Sequence, residues 1–218
     1  MFPGFGTLVN TSLILLGSFV GLRASRYIPN SLKDGAINAI GLFTLMLGVK
    51  LLYENKPETL KVFFTILIGS ALGHLIKIEE SLHELLKNRG GDSLSGFVSA
   101  SVLFTVGPMT LLGCILEGTK GDSTLILSKA FMDGFSSIIL SSSLGKSVAF
   151  SAFFVLIFQG SLTMLAFYLG SFLPKDSMSN ALFVGGGLML LTGAKILGLL
   201  ERIKVLNFFP SLFISLLV

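Results

Sequence analysis

Ile28-Pro29-Asn30-Ser31-Leu32-Lys33-Asp34-Gly35-Ala36, continued by Gly41, Leu45, Gly48, Lys50 and Leu52, has a gapless counterpart late in the chain. That counterpart is Leu173-Pro174-Lys175-Asp176-Ser177-Met178-Ser179-Asn180-Ala181, continued by Gly186, Leu190, Gly193, Lys195 and Leu197. The segment before each copy also corresponds: Asn10, Ser12, Leu13, Leu16 and Gly21 fall on Gln159, Ser161, Leu162, Leu165 and Gly170, with a loop four residues different in length. If an odd number of membrane crossings separates the two starts, the copies face opposite ways, as they do in many secondary transporters.

Composition places the chain in lipid. Hydrophobic residues make up 52% and charged residues 13%, against about 25% charged in soluble domains, and the mean hydropathy is +0.85. Apolar segments of roughly the 17–25 residues that a spanning helix needs are separated by short polar turns. Eight spans are predicted, at about 5–22, 34–53, 60–77, 94–117, 124–143, 147–172, 179–199 and 205–218. The expected fold is an all-α polytopic membrane protein, one transmembrane domain over 1–218. Repeat A (5–77) and repeat B (147–218) form an inverted three-helix pair around central helices at 94–143. Met1-Phe2-Pro3-Gly4-Phe5 has no basic n-region or small-residue cleavage site, so no cleaved signal peptide is expected.

Loops after odd-numbered spans carry nine basic residues, Arg23, Arg26, Lys33, Lys77, Lys87, Arg89, Lys146, Arg202 and Lys204; those after even-numbered spans carry four, Lys56, Lys61, Lys120 and Lys175. The bias makes the first set cytoplasmic and puts both termini outside. The net charge of +4 then reflects topology; no basic stripe interleaved with aromatics offers a nucleic-acid surface. Glu79 to Lys87 continues helical spacing with Leu82, Leu85 and Leu86 on one face, reading as an interfacial helix or an extension of span three.

The central spans hold the chemistry. Gly107-Pro108 lies inside span four, where proline removes a donor and leaves the Phe104 carbonyl without its helical partner. Span five contains Lys129-Ala130-Phe131-Met132-Asp133-Gly134-Phe135-Ser136-Ser137. A mid-span carboxylate costs about 2.5–3.5 kcal/mol on insertion scales, so Asp133 requires a partner. Lys129, four residues earlier, shares its helix face. Gly134 permits close approach or a break, and Ser136, Ser137 and Thr105 offer oxygens suited to a small hard cation or to helix packing. Asn10 and Gln159, equivalent in the repeat, are expected to flank a site between them, or to glue helices together. Lys50 and Lys195 are expected to snorkel to headgroups from helix C-termini. One cysteine and two histidines support neither a disulfide nor a protein-held metal site beyond a monovalent cation.

Gly6-Thr7-Leu8-Val9-Asn10, Phe104-Thr105-Val106-Gly107-Pro108-Met109, the Lys129 to Ser137 run and Gln159-Gly160 together resemble the bacterial YdfK/YqgA-like integral-membrane proteins, a domain of unknown function. The resemblance spans nearly the whole chain and implies an inner-membrane, transport-type protein. Its motif members here are Gly6, Asn10, Gly107, Pro108, Lys129, Asp133, Gly134 and Gln159. At Cys114 and Leu116 the chain departs toward apolar residues, so the resemblance assigns no polar role to the outer half of span four.

The expected function is a transporter or channel for a small cation, sodium or proton. Asp133 is its charge, Lys129 the charge partner, Ser136, Ser137 and Thr105 oxygen donors, Asn10 and Gln159 the flanks, and Gly107, Pro108 and Gly134 the helix break. The alternative is a non-transporting scaffold or regulator of a partner protein. No nucleophile-base set or carboxylate pair supports an enzyme, and no cofactor is expected. Partners are the lipid bilayer, the cation and a second copy, since Gly185-Gly186-Gly187 permits close helix contact in a homodimer.

Overall fold

A computed structural model describes residues 2–24, 29–87, 92–170, 174–200 and 202–218. The regular elements among these residues are helices: α1 (Phe5–Ala24), α2 (Asn30–Glu54), α3 (Thr59–Ile76), α4 (Ile78–Lys87), α5 (Asp92–Thr105), α6 (Pro108–Lys120), α7 (Thr124–Leu144), α8 (Ser147–Leu169), α9 (Lys175–Ile196), a 3₁₀ turn (Val205–Phe208) and α10 (Phe209–Ser215). Among the described residues six helices are long and apolar enough to cross a bilayer, and a seventh crossing is made if the bent pair α5–α6 counts as one.

Eight crossings were expected, and the last is where the count differs. Residues 205–215 form one 3₁₀ turn and seven α-helical residues. Pro210 is the cause: it sits in the first turn of α10, where its missing N–H costs nothing, but it cannot continue an α-helix arriving from Leu206. Span four is divided as well. Gly107 is extended at φ −173°, Pro108 opens α6, and α5 and α6 meet at a bend of 55°. The Phe104 carbonyl is satisfied by the Thr110 hydroxyl at 3.3 Å.

The chain separates into two compact units, one of residues 1–36 and 86–171, the other of 37–85 and 172–218. In the first, α1 runs parallel to α7. A Cβ on Gly17 would collide with the Ser137 hydroxyl and the Gly134 carbonyl, and one on Gly21 with the Ile138 carbonyl and Ser141. Side chains at these positions would hold the two backbones apart. The helix α8 runs antiparallel to α1, and the apolar core joins Ile14 of α1, Ala100 and Phe104 of α5, and Val148, Ala152 and Val155 of α8.

In the second unit α2 and α9 cross antiparallel, with Gly41 against Ile196 and Leu197 and Gly48 against the Gly186 carbonyl and Leu190. The C-terminal segment lies antiparallel along α3: Asn207 packs on Gly73, Ser211 on Gly69, and Lys61 Nζ donates to the Val218 carbonyl at 3.0 Å.

The helices are polar inside and apolar outside. Thr7, Asn10, Ser18, Lys129, Asp133, Ser137 and Gln159 are buried, while Leu16, Phe19, Phe131, Phe135, Phe150 and Phe153 are exposed. Water would reverse that arrangement; a lipid solvent explains it.

Candidate functional site

The site lies in the first unit, where α1, α7 and α8 meet. Lys129 and Asp133 are one turn apart on α7, with side chains only 7% and 8% exposed. Lys129 Nζ donates to both carboxylate oxygens, at 2.7 and 2.6 Å. Asn10 Nδ2, from α1, donates to Asp133 Oδ2 at 3.0 Å and to Gln159 Oε1 of α8 at 3.1 Å. The close parallel contact of α1 and α7 carries Asn10 to the acid, and the antiparallel α8 brings Gln159 to the same level. Three of the carboxylate's roughly four lone-pair directions are taken.

The Asn10 and Gln159 amides do not stand apart around a gap; they touch. Nor do the expected oxygen donors surround Asp133. The Thr105 hydroxyl donates to the Ser101 carbonyl of its own helix at 2.6 Å, and Ser137 donates to the Gly134 carbonyl at 2.7 Å while packing on Gly17. Ser136 is half-buried, one turn beyond Asp133 on α7. Gly134 is no helix break, since α7 is continuous through it; it is a contact point for Leu13 of α1.

A second acid completes the site. Glu117 of α6 is 1% exposed; its Oε1 accepts from the Gly6 N–H of α1 at 2.7 Å and from the Ser123 hydroxyl at 2.8 Å. Gly6 lies in the first helical turn of α1, whose N–H groups have no intrahelical partners and favour negative charge. In the sequence Glu117 reads as the end of span four, beside Gly118-Thr119-Lys120. In the structure α6 runs on to Lys120 and ends only at Gly121, whose φ of 66° suits glycine, so Glu117 is carried inside the bundle. The outer half of span four thus carries one buried acid beside the buried, apolar Cys114 and Leu116.

Thr7 Oγ1, Asn10 Oδ1, Glu117 Oε2 and Gln159 Nε2 are buried without a protein hydrogen-bond partner. The Thr163 hydroxyl has none besides the neighbouring Cys114 thiol. Unpaired buried polar atoms cost about 1–3 kcal/mol each, so this concentration is expensive for a purely structural core. Among the described residues no three His, Cys, Asp or Glu side chains converge as a metal set.

The charged residues of the second unit sit at helix ends. Lys195 does not snorkel: it pairs with Glu79 and donates to the Ile203 carbonyl at 3.0 Å. Lys204 pairs with Glu80, and Asn207 holds the Glu79 N–H at 2.8 Å and Glu80 Oε2 at 3.2 Å. Lys50 pairs with Glu54, both about half exposed. These contacts anchor the first turn of α4; the side chains of Leu85 and Leu86, expected on its apolar face, lie outside the described residues.

Residues 5–218 match the family model described as "Protein of unknown function (DUF554)". The chain belongs to the DUF554 family. It is 31% identical over 214 residues to "Uncharacterized membrane protein YdfK" of Bacillus subtilis (strain 168), covering 96% of this chain and 93% of that protein. It is 26% identical over 223 residues to "Uncharacterized protein YqgA" of Escherichia coli (strain K12), covering 97% and 94%. No solved structure matches this DUF554 chain. Together with the lipid-adapted surface, the relationship makes it a multi-pass integral membrane protein.

Proposed function

We propose that this DUF554 protein moves a small cation across the bacterial inner membrane, with Asp133 as the charge in its path and Lys129 as the residue that occupies the acid when no cation does. The observation that carries the reading is the buried Lys129–Asp133 pair hydrogen-bonded to Asn10. Ionisable groups within membrane helices mark ion pathways by default, because structural packing alone is served more cheaply by apolar residues. A carboxylate that exchanges an internal ammonium for an external cation keeps its charge compensated throughout, which favours a carrier over an open pore.

The inverted-repeat part of this reading draws support from pairings inside each unit. Asn10 and Gln159, equivalent by sequence, hydrogen-bond to each other. Gly41 lies against Gly193 and Gly48 against Gly186, and the partners exchange under the sequence correspondence, as a two-fold relation requires.

A second reading, a non-transporting scaffold with Lys129–Asp133 as a brace, is favoured by the occupancy of both Asp133 oxygens. Purified protein in liposomes separates them. Transport predicts sodium or proton flux that Asp133→Asn abolishes; absent flux, or flux unchanged in Asp133→Asn, rejects it.

A further inference from the structure

We infer that Glu117 holds one exchangeable monovalent cation, a sodium ion or a proton, as a second station beside Asp133. The inference rests on the cation-transport reading and adds the place where the cation is bound.

Charge balance is the first argument. Among the described residues the buried charged side chains are Glu117, Lys129 and Asp133. Two acids face one base, and the base is committed to both oxygens of Asp133. An uncompensated charge is costly away from water, so the set calls for one further positive charge, and Glu117 is the acid left without it.

Position is the second. Glu117 Oε1 is engaged by Gly6 and Ser123, whereas Oε2 is buried and unpartnered. Because α1 and α8 are antiparallel and joined at Asn10–Gln159, Thr7 and Thr163 each fall one turn from that pair on the same side, toward Glu117. Gly6 and the Thr163 carbonyl, the latter packed on Gly118, fix that level. The two hydroxyls and the free carboxylate oxygen are the hard oxygen ligands that a small cation takes; a proton would instead make Oε2 a donor. From this level to Asp133 is about one helical turn, ~6 Å, and in the other direction the turn at Gly121 and Asp122 is exposed.

The groups around Glu117 are few. From α7 come Ser123 at its N-cap, Lys129 and Asp133; from α1 Gly6 and Thr7, and from α8 Thr163, none charged. Its own helix adds Cys114 and the exposed Lys120, and Asp122 lies in the turn.

The test is thermal unfolding of the full chain in detergent, titrated with sodium chloride against choline chloride at constant ionic strength, and separately with pH in choline chloride. The wild-type midpoint is expected to keep rising with the logarithm of cation concentration as one cation binds; a response to sodium identifies sodium, and, without one, a midpoint that falls as pH rises, opposite in sign to a salt-bridged surface carboxylate, identifies the proton. Glu117→Gln keeps the Oε1 acceptor and removes the charge, so it should lose the response, while Gly160→Ala, whose added Cβ meets no heavy atom, keeps it. Ser123→Ala withdraws one donor from the carboxylate and should tighten the cation at least about twofold, a readout that holds if Glu117→Gln does not accumulate. A wild type without either response, a Glu117→Gln variant titrating like wild type, or a Ser123→Ala variant whose cation dependence equals that of wild type overturns the site. Cation stabilisation that depends on Glu117 in a protein without flux leaves the site standing and rejects transport. Flux lost in Asp133→Asn and intact in Glu117→Gln does the reverse.

Discussion

Lys129–Asp133 in the first unit and Lys195–Glu79 in the second are both lysine-carboxylate pairs, yet their surroundings differ. The first is 7% and 8% exposed at mid-helix; the second is 34% and 23% exposed where α9 ends. Water still solvates the second pair when it opens, whereas the first has only protein around it. The same chemistry is therefore a helix-end latch in one unit and an obligatory, charge-compensating pair in the other.

The contrast is broken most directly at Lys129. Lys129→Met leaves Asp133 buried and uncompensated and should cost about 3–5 kcal/mol, measured by unfolding in detergent, whereas Lys129→Met with Asp133→Leu should recover most of it. A single-variant loss as small as that of Lys195→Ala would erase the distinction. Next in size is Gly17→Val, which forces side-chain atoms into the Gly134 carbonyl and Ser137 and should cost about 1–3 kcal/mol and impair flux. Gly160→Ala, with no heavy atom near its added Cβ, serves as the near-neutral control. Lys195→Ala should cost about 1 kcal/mol or less, with α4 amides exchanging faster as the readout.

The smallest effect is at Glu80. Its hydrogen bond from Lys204, then its backbone and Asn207 hydrogen bonds, lower its pKa from 4.5 to about 2. A depressed folded value means that the contribution is fully present above about pH 4.5 and is lost as pH falls toward 2. Carboxyl NMR of Lys204→Ala should show Glu80 titrating closer to its ordinary value, while the Lys129–Asp133 contacts stay unchanged.

Legibility from sequence followed how local each interaction is. Lys129 and Asp133 are four residues apart on one helix, so their pairing could be read directly; so could the interruption at Gly107-Pro108, a backbone property of two residues. The C-terminal span was overcounted because apolar composition outweighed the effect of Pro210. Thr105 and Ser137 have the right chemistry for ligands, but serine and threonine in helices satisfy their hydroxyls on a carbonyl three or four residues back.

By itself the sequence determined that this is a helical membrane protein, where its polar turns fall and that Asp133 needs Lys129, because composition, periodicity and one-turn spacing are local properties. Only the tertiary structure decided that Asn10 and Gln159 meet each other, that Glu117 belongs to the interior and that residues 205–215 stop short of a full span. Those outcomes depend on which helices pack together and in which direction. Contacts between Gly6 and Glu117, 111 residues apart, follow from that packing and leave no periodic trace in the chain.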